Sequence, residues 1–126
     1  MCILLVEDEA MIREIMAESL QDAGFEVMQA EDGERAADLI RHPPLVFSAL
    51  VTDFHMPGTI DGAGVAECMR RCWPTAPVVI ASGRPEVFRP HWQSQHGYGL
   101  LRKPYLPHQL VEMMRRLLPL PPRATP

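Results

Sequence analysis

The residues Cys2-Ile3-Leu4-Leu5-Val6 form an uninterrupted apolar run that stops abruptly at Glu7-Asp8. A short run without polar alternation suits a strand covered on both faces, as in a parallel sheet flanked by helices. Four further β-type runs follow, over 25–30, 45–52, 77–81 and 98–101. Between them, apolar residues recur every three or four positions. Ile12, Ile15, Met16, Leu20 and Ala23 make one helical stripe, with Gly24 placed to end it. Asp32 and Asp61 are placed to cap two more, which carry Ala36, Leu39 and Ile40, then Val65, Cys68, Met69 and Cys72. Pro107 opens a last helix with Leu110, Val111, Met114, Leu117 and Leu118 on one side. Five strand–helix units in series predict an α/β fold, a parallel sheet with helices on both faces and right-handed crossovers. The stretch from Pro85 to His96 breaks the pattern. Pro85 can open a helix but Pro90 would interrupt one, so the fourth helix is expected to be short or irregular.

At 126 residues the chain has the length of one domain, enough to bury a core without disulfides or a structural metal. Sixteen acids against eleven arginines and one lysine leave a formal charge of −4. That excludes a broad basic surface for nucleic acid and gives no pull towards an anionic membrane. No apolar run approaches the ~20 residues of a membrane span, and the N-terminus lacks a signal peptide's basic region and long apolar core. Three irregularly placed cysteines read as free thiols, so the expected location is the reducing cytoplasm. Residues 1–118 are expected to form the domain, and 119–126, with four prolines, a tail.

Ligands of such sheets bind beyond the C-terminal strand ends. Glu7-Asp8 follow the first run, Asp53 the third, Ser82-Gly83 the fourth and Arg102-Lys103-Pro104 the fifth. The fold therefore gathers three carboxylates on one edge. Two unit charges about 4 Å apart repel by roughly 4 kcal/mol at an effective dielectric near 20. Lys103, the single lysine, arrives at the same edge, and a hard cation such as Mg²⁺ would complete the charge balance. The metal, the lysine and a serine hydroxyl would surround a tetrahedral anion. A carboxylate nucleophile in that setting implies phosphoryl transfer through an aspartyl-phosphate.

Val6-Glu7-Asp8-Glu9, Leu50 through Pro57, Ala81-Ser82-Gly83 and Arg102-Lys103-Pro104-Tyr105 together resemble the motifs of bacterial response-regulator receiver domains. The resemblance runs from residue 2 to about 118, and each motif follows a different strand. It implies a flavodoxin-like sheet of order 2-1-3-4-5, and a switch that takes a phosphoryl group from a histidine kinase or phosphotransfer protein. By that resemblance Asp53 is the phosphoacceptor and, with Asp8, a direct Mg²⁺ ligand. Glu7 acts through a metal-bound water, and His55 gives its backbone carbonyl. Ser82 binds a phosphoryl oxygen, Gly83 leaves access, and Lys103 pairs with the phosphoryl group. The bond into Pro104 is usually cis in this family, consistent with the reduced trans preference of Xaa-Pro amides. A downstream protein would bind through the fourth helix, fifth strand and fifth helix, with homodimerisation left open.

Three features depart from the family pattern. Leu100 stands where the family carries its switch aromatic, and Tyr98, two residues earlier, is not its equivalent. The loop Met56 to Gly62 is one residue longer than the commonest form. The fourth helix carries Pro85 and Pro90. Other features read more simply: Glu31-Asp32 as a helix cap, Cys68 and Cys72 as core, and the methionines as core filler. Trp73 and Trp92 are open to a role as surface anchors. Pro119-Leu120-Pro121-Pro122 only loosely resembles a polyproline ligand. Two alternatives compete with a stand-alone regulator, which the early first strand and short tail favour. One is a receiver excised from a hybrid histidine kinase. The other is an aspartate-nucleophile, Mg²⁺-dependent phosphohydrolase, which would need an acid where His55 stands. A receiver-like module that only binds protein is disfavoured by the intact acids.

Overall fold

A strand buried on both faces needs helices on both sides, and the chain supplies them in alternation. The computed structural model describes residues 2–118. The strands are β1 (Cys2–Val6), β2 (Glu26–Ala30), β3 (Phe47–Asp53), β4 (Val78–Ser82) and β5 (Gly99–Arg102). The helices are α1 (Ala10–Asp22), α2 (Gly33–Arg41), α3 (Gly62–Cys72), α4 (Pro90–Ser94) and α5 (Pro107–Leu117). All strand pairs are parallel, in the order β2-β1-β3-β4-β5, as the resemblance implies.

Alternate residues of the central strands enter different layers. Leu4, Val6, Leu50, Val78 and Ile80 pack with Ala36 and Ile40 of α2, Val65 and Met69 of α3, and Trp92 of α4. Ile3, Leu5, Val51, Val79 and Ala81 pack with Met16 and Leu20 of α1 and Leu110 and Met114 of α5. Burial of each large aliphatic here is worth about 1.5–3 kcal/mol.

Helix ends are set locally. Asp32 and Asp61 accept from the backbone N–H of Arg35 and Gly64 at 2.7 and 3.0 Å, capping α2 and α3 as the sequence predicts. After α1, the N–H groups of Gly24 and Phe25 donate to the carbonyls of Gln21 and Leu20. Gly24 takes φ = +100°, so α1 closes in the glycine-terminated turn the stripe implies.

Several local expectations are corrected. β3 starts at Phe47 rather than Leu45; among the described residues its pairing with β1 begins at Cys2, and Val46 is exposed. β2, β4 and β5 each start one residue later than predicted. The fourth helix is short, as expected: the 3-10 turn over Pro85–Val87 does not continue through Pro90, which instead stands in the first turn of the five-residue α4, where no N–H is missed. Ile15 is 49% and Met11 76% exposed, so neither belongs to the core. Cys68 is buried but Cys72 is exposed, one turn beyond the sheet's cover. Trp92 is buried, and Trp73 is half-buried with its indole N–H on the Ile40 carbonyl at 3.3 Å, so neither is a surface anchor. The tail at 119–126 lies outside the described residues.

Candidate functional site

The C-terminal ends of β1, β3, β4 and β5 lie side by side, and the sequence-predicted residues gather there. Glu7, Asp8 and Asp53 each offer a carboxylate oxygen, and these oxygens lie within 4.8 Å of one another. The Lys103 ammonium reaches Asp53 Oδ2 at 3.0 Å and Glu7 Oε2 at 3.3 Å. Lys103 follows β5 directly, its N–H donating to the Ser82 carbonyl, and its bond to Pro104 is cis.

The three acids are not equivalent. Glu7 is buried and both its oxygens are engaged: Oε2 with Lys103, Oε1 accepting from the Glu9 N–H at 3.2 Å. Its backbone carbonyl is held by the Arg13 guanidinium at 2.8 Å. Asp8 is exposed and lines a cleft of about 330 Å³ with Phe54, His55, Met56, Pro57 and Asp61. Asp53 is buried like Glu7, its side chain 8% exposed.

Burial governs the electrostatics. It raises the Asp53 carboxyl above its ordinary value, with Lys103 opposing and Asp8 adding to the rise. Glu7 is raised by burial and then by Asp53. For Lys103, burial works against the charge, but Asp53 and Glu7 outweigh it and hold the ammonium protonated above its ordinary range. Tyr105, beside Lys103, is pushed up to about 12, mainly by burial, so its hydroxyl stays neutral.

A hard divalent cation fits this donor set. One exposed and two buried carboxylates converge, yet one ammonium is shared between two of them, leaving net negative charge facing the cleft. His55 is exposed on the same cleft, its ring edge-on to Phe54. Ser82 is buried, and its hydroxyl accepts from the Arg84 N–H at 3.0 Å. Gly83 opens on a second cleft of about 550 Å³ shared with Lys103, Pro104 and Tyr105. A Cβ at Gly83 would meet Lys103 Cβ only at 3.7 Å, so packing does not demand glycine there.

Two supports escaped the sequence reading. Arg13 is visible only as a polar residue in the first turn of α1, and Glu34 as an exposed acid in α2. Nothing in their spacing points to strand ends or loops elsewhere.

A five-stranded parallel sheet of this order, with acids and a lysine on its C-terminal edge, is the architecture of a phosphoacceptor signalling domain. The response regulator receiver domain family matches residues 3–115, and the chain belongs to it. An NtrX-like response regulator of Rickettsia felis is 31% identical over 116 residues, covering 90% of this chain and 24% of its own. The chain thus spans about a quarter of the length of that relative. The receiver domain of the hybrid histidine kinase CckA is 32% identical with a TM-score of 0.78, covering 94% of this chain and 99% of that one. TrrA of Thermotoga maritima, solved with Mg²⁺ and beryllofluoride, is 29% identical with a TM-score of 0.74, covering 93% and 98%. Among the described residues no helix is long and apolar enough to cross a membrane.

Proposed function

We propose that this receiver takes a phosphoryl group onto Asp53 from the phosphohistidine of a sensor kinase or phosphotransfer protein. The observation that carries the reading is the Lys103 ammonium 3.0 Å from Asp53 Oδ2, at the meeting point of three acids. An Asp53 oxygen attacks phosphorus; the new O–P bond forms as the N–P bond breaks, and the imidazole leaves with the electron pair. Lys103 then shifts from carboxylate to phosphoryl oxygen, keeping its charge where negative charge now lies. The Ser82 hydroxyl turns its proton from the Arg84 carbonyl, 3.4 Å away, to a phosphoryl oxygen. Asp8 and Asp53 would hold Mg²⁺ directly, with the His55 carbonyl, and Glu7 through water, since Glu7 has both oxygens occupied. The ion, when bound, neutralises charge on the transferring group. The neutral Tyr105 hydroxyl adds no charge to the pocket.

In this reading the protein is a cytoplasmic switch with slow self-dephosphorylation rather than a turnover enzyme. Its receiver unit is 1–118 and its tail 119–126. A downstream protein meets the face of α4, β5 and α5. The likeness to the CckA receiver favours a second reading, in which the same domain serves within a larger kinase chain. Incubation with a small phosphodonor and Mg²⁺, followed by intact-protein mass spectrometry, tests the reading. One phosphoryl adduct is expected, absent without Mg²⁺ and absent in Asp53→Asn. An adduct that persists in that variant refutes it.

A further inference from the structure

The wall of the Asp8 cleft is the loop from Phe54 to Asp61, which joins β3 to α3. Its two ends are tied to regular structure: the Phe54 N–H donates to the Ala81 carbonyl, and Asp61 caps α3. Its tip is held differently. Among the described residues, every hydrogen bond from Thr59 and Ile60 to another element ends on one carboxylate oxygen, Oε1 of Glu34 at the start of α2. The Thr59 N–H donates at 2.8 Å, the Thr59 hydroxyl at 3.1 Å and the Ile60 N–H at 2.9 Å. These bonds, from Ile60 first and then Thr59, hold the Glu34 carboxyl below its ordinary value. A second contact acts at the same place. Gly33 lies so close to the loop that a Cβ there would overlap the Ile60 carbonyl oxygen.

We infer that Glu34 is a positioning residue for the phosphoacceptor site: its carboxylate clamps the loop tip to α2 and sets the cleft wall in the shape that receives the cation. This rests on the phosphoacceptor reading above. The loop's middle residues, His55 to Pro57, have no hydrogen bond to another element among the described residues, so their place depends on the two anchored ends and the clamped tip. An ionised carboxylate accepting three donors at once is a strong clamp, because charge-assisted hydrogen bonds are about twice as strong as neutral ones. Outer groups that orient a metal site commonly control its affinity by about 10–100-fold. Glu34 touches neither the acids nor the acceptor, so its loss changes how readily the cation is received and not the transfer itself.

The test compares the native chain with Glu34→Ala and Glu34→Gln. Mg²⁺ affinity is measured by calorimetric titration, and phosphorylation rate by a small phosphodonor across a Mg²⁺ series. Glu34→Ala is expected to bind Mg²⁺ about tenfold more weakly, with the maximal rate at saturating Mg²⁺ unchanged. Glu34→Gln, which keeps an accepting oxygen but no charge, should fall between. Hydrogen exchange on the native protein without metal should find the Thr59 and Ile60 amides protected relative to Gly58, and that protection lost in Glu34→Ala. Unchanged Mg²⁺ affinity in a folded Glu34→Ala overturns the inference, as does a lowered maximal rate at saturation. Unprotected Thr59 and Ile60 amides in the native protein overturn it whether or not the variant folds. A native chain that binds Mg²⁺ but takes no adduct overturns the phosphoacceptor reading instead, and the exchange data still judge the clamp.

Discussion

Lys103 is the counter-charge on which the acidic edge depends. Replacing it with Met leaves the buried Glu7 and Asp53 carboxylates without an ion-pair partner among the described residues, and should lower stability by about 1–3 kcal/mol, a loss that added Mg²⁺ partly restores. Urea unfolding with and without Mg²⁺ checks this; equal losses in both conditions would mean that the lysine matters only for packing. Asp53 behaves oppositely. Its carboxyl holds a proton more tightly folded than unfolded, so its ionisation works against the fold. The contribution is therefore least favourable at neutral pH and improves as pH falls through the raised folded value. Asp53→Asn removes that charge while Lys103 keeps Glu7 as partner. With metal chelated, the variant should be more stable at pH 7, and the gap should close on acidification. A gap that widens towards pH 5 contradicts the assignment. Asp8 and Glu7 divide by exposure: Asp8→Ala should abolish Mg²⁺ binding, while Glu7→Gln only weakens it. Calorimetric titration giving equal losses would reject that division.

At the scale of elements, the resemblance puts departures from the family pattern in the segment before β5 and at Leu100 within β5. Leu100, at the family's switch position, lies half-buried in the layer that holds Trp92 and Tyr98. The aromatic rings come from elsewhere. Trp92 of α4 sits 5.9 Å from Phe54, 6.1 Å from Tyr98 and 6.3 Å from Phe88. Phe54 directly follows Asp53, so under the proposed function a change at Asp53 would reach α4 through ring contacts rather than through a ring on β5. Beryllofluoride with Mg²⁺ should therefore change intrinsic fluorescence through Trp92. Trp92→Phe should abolish the change and Trp73→Phe should leave it, since Trp73 packs at the other end of the sheet against Phe47. A response that survives Trp92→Phe would place the route elsewhere. Hydrogen exchange should accordingly respond most over 85–92, with Leu100→Tyr shifting the response towards β5. Strong protection changes confined to β5 in the native chain, unaltered by that substitution, would show that the missing aromatic does not matter.

Across the whole molecule, the order of elements and the acidic edge were legible in the sequence, because both rest on local signals. Short β-rich apolar runs marked the strands, and the residues just past them had to share an edge once the sheet was parallel. What stayed hidden depends on distant partners. Glu34 clamps a loop 25 residues away, and no periodicity relates the two. Trp92, just past two prolines, was open to a surface role, but Pro90 starts α4 and Trp92 lies in the core. Val46 read as strand from its β-branched side chain, but it lies exposed before β3 begins. The central claim is that, of three acids gathered at one edge, Asp53 carries the phosphoryl group. The most direct measurement is to phosphorylate the protein with a small donor and Mg²⁺, reduce the acyl phosphate with borohydride, and sequence the peptides by mass spectrometry. The account predicts homoserine at position 53 and unmodified residues at 7 and 8; reduction products at Glu7 or Asp8, with Asp53 intact, would contradict it.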